Sequence, residues 1–184
     1  MKEVLLSLAR AAIKNHFLHG SLETSNLLEE YPFLKEQGAS FVTLSIDGQL
    51  RGCIGSIIAH RSLFDDIIHN AQAAAFKDPR FMPLSEGELD RTCIEVSLLT
   101  EPKNLEYSDM NDLKSKVRIG IDGVILKSDN YQSTFLPQVW EQLKTHELFF
   151  SHLCQKAGLD ASCLKEHPQI LLYQVQKVKE NEIL

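Results

Sequence analysis

The chain has no apolar run approaching the roughly 18 residues a bilayer-spanning helix needs, so it does not read as a membrane protein. It also lacks a Gly-x-Gly-x-x-Gly run and a Gly-Lys-Ser/Thr ending, which leaves no nucleotide-phosphate cradle in its motifs. Its four cysteines, Cys53, Cys93, Cys154 and Cys163, form no Cys-x-x-Cys pair. That spacing speaks against a thiol redox centre, a zinc knuckle or an iron-sulfur cluster. Basic charge is scarce: 19 Lys and Arg stand against 25 Asp and Glu, a formal net charge of -6. With aromatics at only 8%, nothing resembles a nonspecific nucleic-acid platform. No signal segment is recognisable, so a reducing cytoplasm is the expected setting. Tandem repeats and low-complexity tracts are missing too. The 184 residues suffice for an ordinary core without disulfides or metal.

What is present alternates between helical and strand periodicity. Apolar residues at Val4, Leu5, Leu8, Ala9, Ala12, Ile13 and Phe17 predict a helix over residues 2 to 18, ended by Gly20. Ala39 to Ile46 reads as a strand, and Asp47-Gly48 as a hairpin turn into its partner. Ser62 is placed to cap a helix whose buried face runs from Leu63 to Ala75 and which stops before Pro79. Residues 78 to 83, Asp-Pro-Arg-Phe-Met-Pro, form a shaped loop. Residues 92 to 99 alternate as a strand, with Cys93, Glu95, Ser97 and Leu99 on one face. A short helix is expected between Lys103 and Lys116, and a second hairpin turn at Asp122-Gly123. Pro137 opens a helix through Gln142 or Leu143, another covers Leu148 to Ala157, and Ile170 to Val175 returns as one strand. Hairpins separated by helices favour an α+β fold with an antiparallel-rich sheet.

The segment Leu50-Arg51-Gly52-Cys53-Ile54-Gly55 stands out, because Gly52 and Gly55 imply positive φ or another group pressed against the backbone. Cys53 between them admits three readings: a nucleophile, with Arg51 favouring its thiolate; a ligand contact or metal ligand; or a small buried residue. A nucleophile would need a base, and His60, His69, His146 and His152 cannot be ranked from sequence. Asp78 and Arg80 either hold opposite charges of a ligand, with the Arg80 fork on an anion, or pair with each other and with nearby backbone. Glu95 and Ser97 share a strand face, where they position a polar group or simply meet solvent. His146, His152 and Cys154 do not match zinc spacing, and no metal site is assigned.

These motifs together resemble the AMMECR1 domain family, whose bacterial members are called AmmeMemoRadiSam system protein A. The resemblance rests on Leu50 to Gly55, Asn70 to Phe76 (NAQAAAF) with Asp78-Pro79-Arg80-Phe81, Ile94 to Leu99, Ile119 to Val124, Thr134 to Trp140, and Lys156 to Leu159. It covers most of the chain. It implies one AMMECR1-like domain over residues 1 to 184, with a larger sheet-and-helix portion, a smaller subdomain and the Leu50 to Gly55 region near their cleft. It carries forward Arg51, Gly52, Cys53, Gly55, Asp78, Arg80, Glu95 and Ser97 as site positions. Cys163 departs from the tryptophan that many relatives carry. An accessory or binding role beside MEMO-like and radical-SAM proteins is implied, with a small molecule or protein segment as ligand. The competing expectation is an enzyme in which Cys53 attacks, Arg80 orients an anionic substrate and Glu95 orients water.

Overall fold

A computed structural model describes residues 2–20 and 26–180. In chain order its helices and strands are α1 (Lys2–Leu18), α2 (Leu27–Glu30), β1 (Ala39–Ile46), β2 (Gln49–Gly55), α3 (Leu63–Phe76), α4 (Glu86–Leu89), β3 (Thr92–Leu99) and β4 (Lys103–Asn104), followed by α5 (Met110–Lys116), β5 (Gly123–Ser128), β6 (Tyr131–Phe135), α6 (His146–Lys156), β7 (Gln169–Tyr173) and β8 (Val175–Lys179). Short 3-10 turns cover Pro32–Lys35, Pro137–Glu141 and Cys163–Glu166. The strands form two four-stranded sheets ordered β2-β1-β3-β8 and β4-β7-β5-β6. The fold is α+β, built on antiparallel pairs with flanking helices.

The chain divides into two compact units, one comprising residues through Leu99 together with those from Gln176 onward, the other Thr100–Val175. In the first unit, α1 and α3 pack on one face of the sheet. Leu5, Leu8 and Ile13 from α1, Ile67 and Ala71 from α3, and Val42, Leu44, Ile94 and Val96 from the strands close this core. Ser62 caps α3 as the spacing predicts, its hydroxyl accepting the Asp65 N–H at 3.1 Å. The stop of α1 falls at His19, whose φ is 48°, one residue before Gly20.

The second unit gathers Leu113, Val124, Leu126, Trp140, Phe149, Phe150, Leu153 and Ile170 around its own sheet. Here three expectations are corrected. Asp122-Gly123 is not a hairpin turn: β5 begins at Gly123, and the turn lies at Asp129-Asn130, where Asp129 takes φ 49°. Gly123 is instead a packing glycine, since a Cβ there would meet the Tyr173 ring at 2.4 Å. The run from Ile170 to Val175 is not one strand, because it breaks at Gln174 into β7 and β8, which belong to different sheets. Cys154 and Cys163 are not separate thiols. They form a disulfide joining α6 to the 3-10 turn after it, although the size of the core had suggested no such bond was needed.

Candidate functional site

The predicted positions fall on the β2 edge of the first sheet, on its face away from α1 and α3, and in the loop after α3. The edge begins with an irregularity. Leu44 pairs with Gly52 and Ser45 with Leu50, so Arg51 is an extra residue with no partner on β1. A bulge of this kind re-aims the side chain it carries. Arg51 turns to Glu88, with N–O distances of 2.9 and 3.2 Å, and its guanidinium lies 5.8 Å from the Phe81 ring. Together with the Ser85 N–H and hydroxyl, Arg51 holds the Glu88 carboxyl down at about 2. Arg51 therefore neutralises an acid on α4 and is not engaged with the thiol two residues on.

The two glycines meet different neighbours. Gly52 faces the helices, where a Cβ would lie 2.1 Å from the Ala74 carbonyl oxygen of α3. Gly55 lies opposite Phe41, whose ring a Cβ would meet at 2.2 Å. Of the two explanations that a strand glycine invites, close approach applies and positive φ does not.

Cys53 points away from the helices. Its Sγ lies 3.2 Å from Thr43 Oγ1, its cross-strand partner on β1. Thr43 in turn sits opposite Glu95 on β3, and Glu95 Oε1 lies 3.8 Å from Lys177 Nζ on β8. Cys53, Thr43, Glu95 and Lys177 thus form a lateral row across all four strands, within reach of cross-strand side-chain contact. Ser97 occupies the same face one pair further along, opposite Phe41, and is buried. Burial pushes the Cys53 thiol above its ordinary 9.0, and Asp78 and Glu95 add to this, while the Thr43 contact and Arg80 act the other way. The histidines weighed as bases are turned elsewhere: His60 Nδ1 lies 3.0 Å from Ile58 O, His146 Nε2 2.9 Å from Val117 O and His152 Nδ1 2.8 Å from Leu148 O, while His69 is exposed on α3.

Asp78 and Arg80 meet Cys53 through its backbone. Asp78 Oδ2 accepts the Cys53 N–H at 2.9 Å, and the Arg80 fork donates to both Asp78 oxygens at 3.0 and 2.7 Å. Arg80 Nη2 also reaches Cys53 O at 3.4 Å. β2 is an edge strand, so its outward N–H and C=O lack a ladder partner, and the Asp78–Arg80 pair supplies the acceptor and donor that a further strand would have brought. Asp78 is 4% exposed, and the Arg80 fork holds its carboxyl well below the ordinary 3.8.

Sequence reasoning missed Thr43 and Lys177, which join the row only once strand register is known. It also passed over a buried network behind the edge. Asp66, fully buried, accepts from Ser40 N and Oγ at 2.8 Å each, from Asn70 Nδ2 at 2.9 Å and from Ser56 Oγ at 2.6 Å. Asn70 opens the NAQAAAF motif, and an Asp four residues before an Asn on the otherwise apolar face of α3 was the available signal. Among the described residues no group of three or more His, Cys, Asp or Glu is placed to hold a metal ion, and no helix is long and apolar enough to cross a membrane.

The comparisons agree with this architecture. A protein of Methanothermobacter thermautotrophicus is 38% identical over 178 residues, covering 94% of this chain and 89% of its own length. A protein of Sulfolobus acidocaldarius is 38% identical, covering 98% of this chain and 84% of its own. The crystal structure of an uncharacterized protein from Pyrococcus horikoshii superposes with a TM-score of 0.85 at 32% identity, covering 97% of this chain and 91% of that one. The AMMECR1 family pattern matches residues 6–178, which takes in both sheets and every position of the Cys53 edge, and the chain belongs to the AMMECR1 family.

Proposed function

We propose that this chain is a recognition protein, an accessory component beside MEMO-like and radical-SAM proteins, which binds a partner segment or small ligand on the sheet face carrying Cys53, Thr43, Glu95 and Lys177. The observation that carries this reading is how Cys53 is held. Its thiol is hydrogen-bonded to Thr43, and its backbone N–H and C=O are taken by Asp78 and Arg80. Every polar group of the residue is committed to holding its place, and burial stabilises the protonated thiol. A nucleophile is built the other way, with a depressed pKa or an adjacent base. The Thr43 hydroxyl, the Glu95 carboxylate and the Lys177 ammonium in the row that Cys53 begins offer a partner both donors and acceptors in one line.

Alkylation separates recognition from catalysis. Burial raises the Cys53 thiol above its ordinary value and leaves less thiolate at pH 7 than a free thiol has, so iodoacetamide should modify it more slowly than a free thiol. Fast, selective labelling at neutral pH would return Cys53 to the role of attacking group. Recognition itself is tested by calorimetric titration of a purified MEMO-like protein into wild type, Cys53→Ala and Glu95→Gln. Weakened binding by both folded variants is the expected result. Equal affinity across all three would remove this face from the proposed contact.

A further inference from the structure

The second unit contains a cleft of about 450 Å³, lined wholly by its own residues, which the reading above does not use. Its volume lies within the roughly 300–1,000 Å³ range of small-molecule sites. Five charged residues line it: the cations Lys103, Lys116 and Arg118, and the acids Glu101 and Asp122. Of the two acids, Glu101 has no partner among the described residues and Asp122 is engaged. Asp122 is 2% exposed, and its carboxylate is spent on Arg118, accepting the backbone N–H at 2.8 Å, Nε at 3.1 Å and Nη2 at 2.7 Å. That leaves Arg118 Nη1 as the outer edge of a fixed fork. Lys116 is held by Glu106 O and Asp112, neither of which lines the cleft. Lys103 has no side-chain hydrogen bond or ion pair among the described residues. The cleft therefore presents two cationic donors, Lys103 and the outer edge of Arg118, against one unengaged acid, Glu101.

Those donors stand on pinned backbone. Lys103 is on β4, paired with Leu172 of β7, and the Arg118–Asp122 loop is anchored by Trp140 Nε1 donating to Asp122 O at 2.9 Å. The Arg118 fork, fixed in advance by Asp122, loses little freedom on binding, whereas the Lys103 stem must be ordered by the ligand. We propose that this cleft binds a compact polyvalent anion, a small molecule carrying phosphate or carboxylate groups, with Lys103 and the outer edge of Arg118 as its contacts.

The test is calorimetric titration of the full chain with pyrophosphate and, separately, with citrate, each to about 10 mM. Lys103→Gln is expected to weaken binding about three- to tenfold, the share of one charge-assisted hydrogen bond. Glu101→Gln removes the one acid of the cleft that is not spent on a cation, and is expected to tighten binding by about two- to threefold. Neither side chain makes a contact that holds the fold, so both variants should fold normally. Binding of citrate alone assigns the site to carboxylates, and binding of pyrophosphate alone assigns it to phosphates. Absence of binding by both anions, or affinity indifferent to Lys103→Gln, overturns the proposal.

Discussion

Asp78 concentrates more of the structure than any other side chain at the Cys53 edge, because one buried carboxylate serves two backbone N–H groups and a guanidinium at once. Asp78→Asn keeps the shape and removes the charge, and should lower stability at pH 7 by about 2–3 kcal/mol. The sign of the pH dependence follows from its depressed folded pKa. Its contribution is fully present above the ordinary 3.8 and drains away as pH falls below that value toward the folded one. Urea midpoints of wild type and Asp78→Asn should therefore differ clearly at pH 7 and converge as the pH drops below about 4. A gap that stays constant on acidification would show that shape, and not charge, makes the contribution. The pairing of Asp78 with Arg80 could be weighed from two residues of sequence separation. Their grip on Cys53, 25 residues away, required the edge position of β2, which no local pattern encodes.

Within the elements, the two glycines of β2 make different demands. An alanine at Gly52 would drive its Cβ into the carbonyl of Ala74, and α3 cannot yield without moving as a helix. An alanine at Gly55 meets the near end of the Phe41 ring, a side chain that can move only by changing its rotamer. Gly52→Ala should cost about 3 kcal/mol and Gly55→Ala about 2 kcal/mol by chemical denaturation. Equal costs would mean that α3 does not press on the strand. Periodicity made α1, β1, α3 and β3 legible, because each has one mainly apolar face, and Asp47-Gly48 marked the β1–β2 hairpin. It failed where chemistry and packing decided the boundaries. Asp122-Gly123 carries the composition of a turn, yet Asp122 is there to hold Arg118 and Gly123 to admit Tyr173. β6, Tyr-Gln-Ser-Thr-Phe, is short and mostly polar, and is recognised only through its pairing with β5. The apolar run across Gln174 gives no hint that its two halves serve different sheets.

At the scale of the molecule, the first unit is discontinuous, since its fourth strand arrives only after the second unit has been traversed. Glu180 fastens that return. It pairs with both Nε and Nη2 of Arg10 on α1 at 2.6 Å and accepts the Ile94 N–H of β3 at 2.8 Å. Glu180→Ala should destabilise the first unit by about 2–3 kcal/mol. If the two units unfold separately, hydrogen exchange will show α1 and β3 losing protection while β5 and α6 keep theirs. Uniform loss across both would show one cooperative body. The resemblance to a family implies a larger and a smaller portion, and composition alone could not show that the first unit is completed by the last strand.

Each unit also carries the same device, a buried aspartate gripped by the fork of a half-exposed arginine: Asp78 with Arg80 in one, Asp122 with Arg118 in the other. Dissolved ions reach exposed pairs such as Arg91 with Asp47 and weaken them, whereas a carboxylate shut away from water is screened far less. In concentrated brine the surface pairs will loosen first, while the two loops that frame the Cys53 edge and the cationic cleft keep their form.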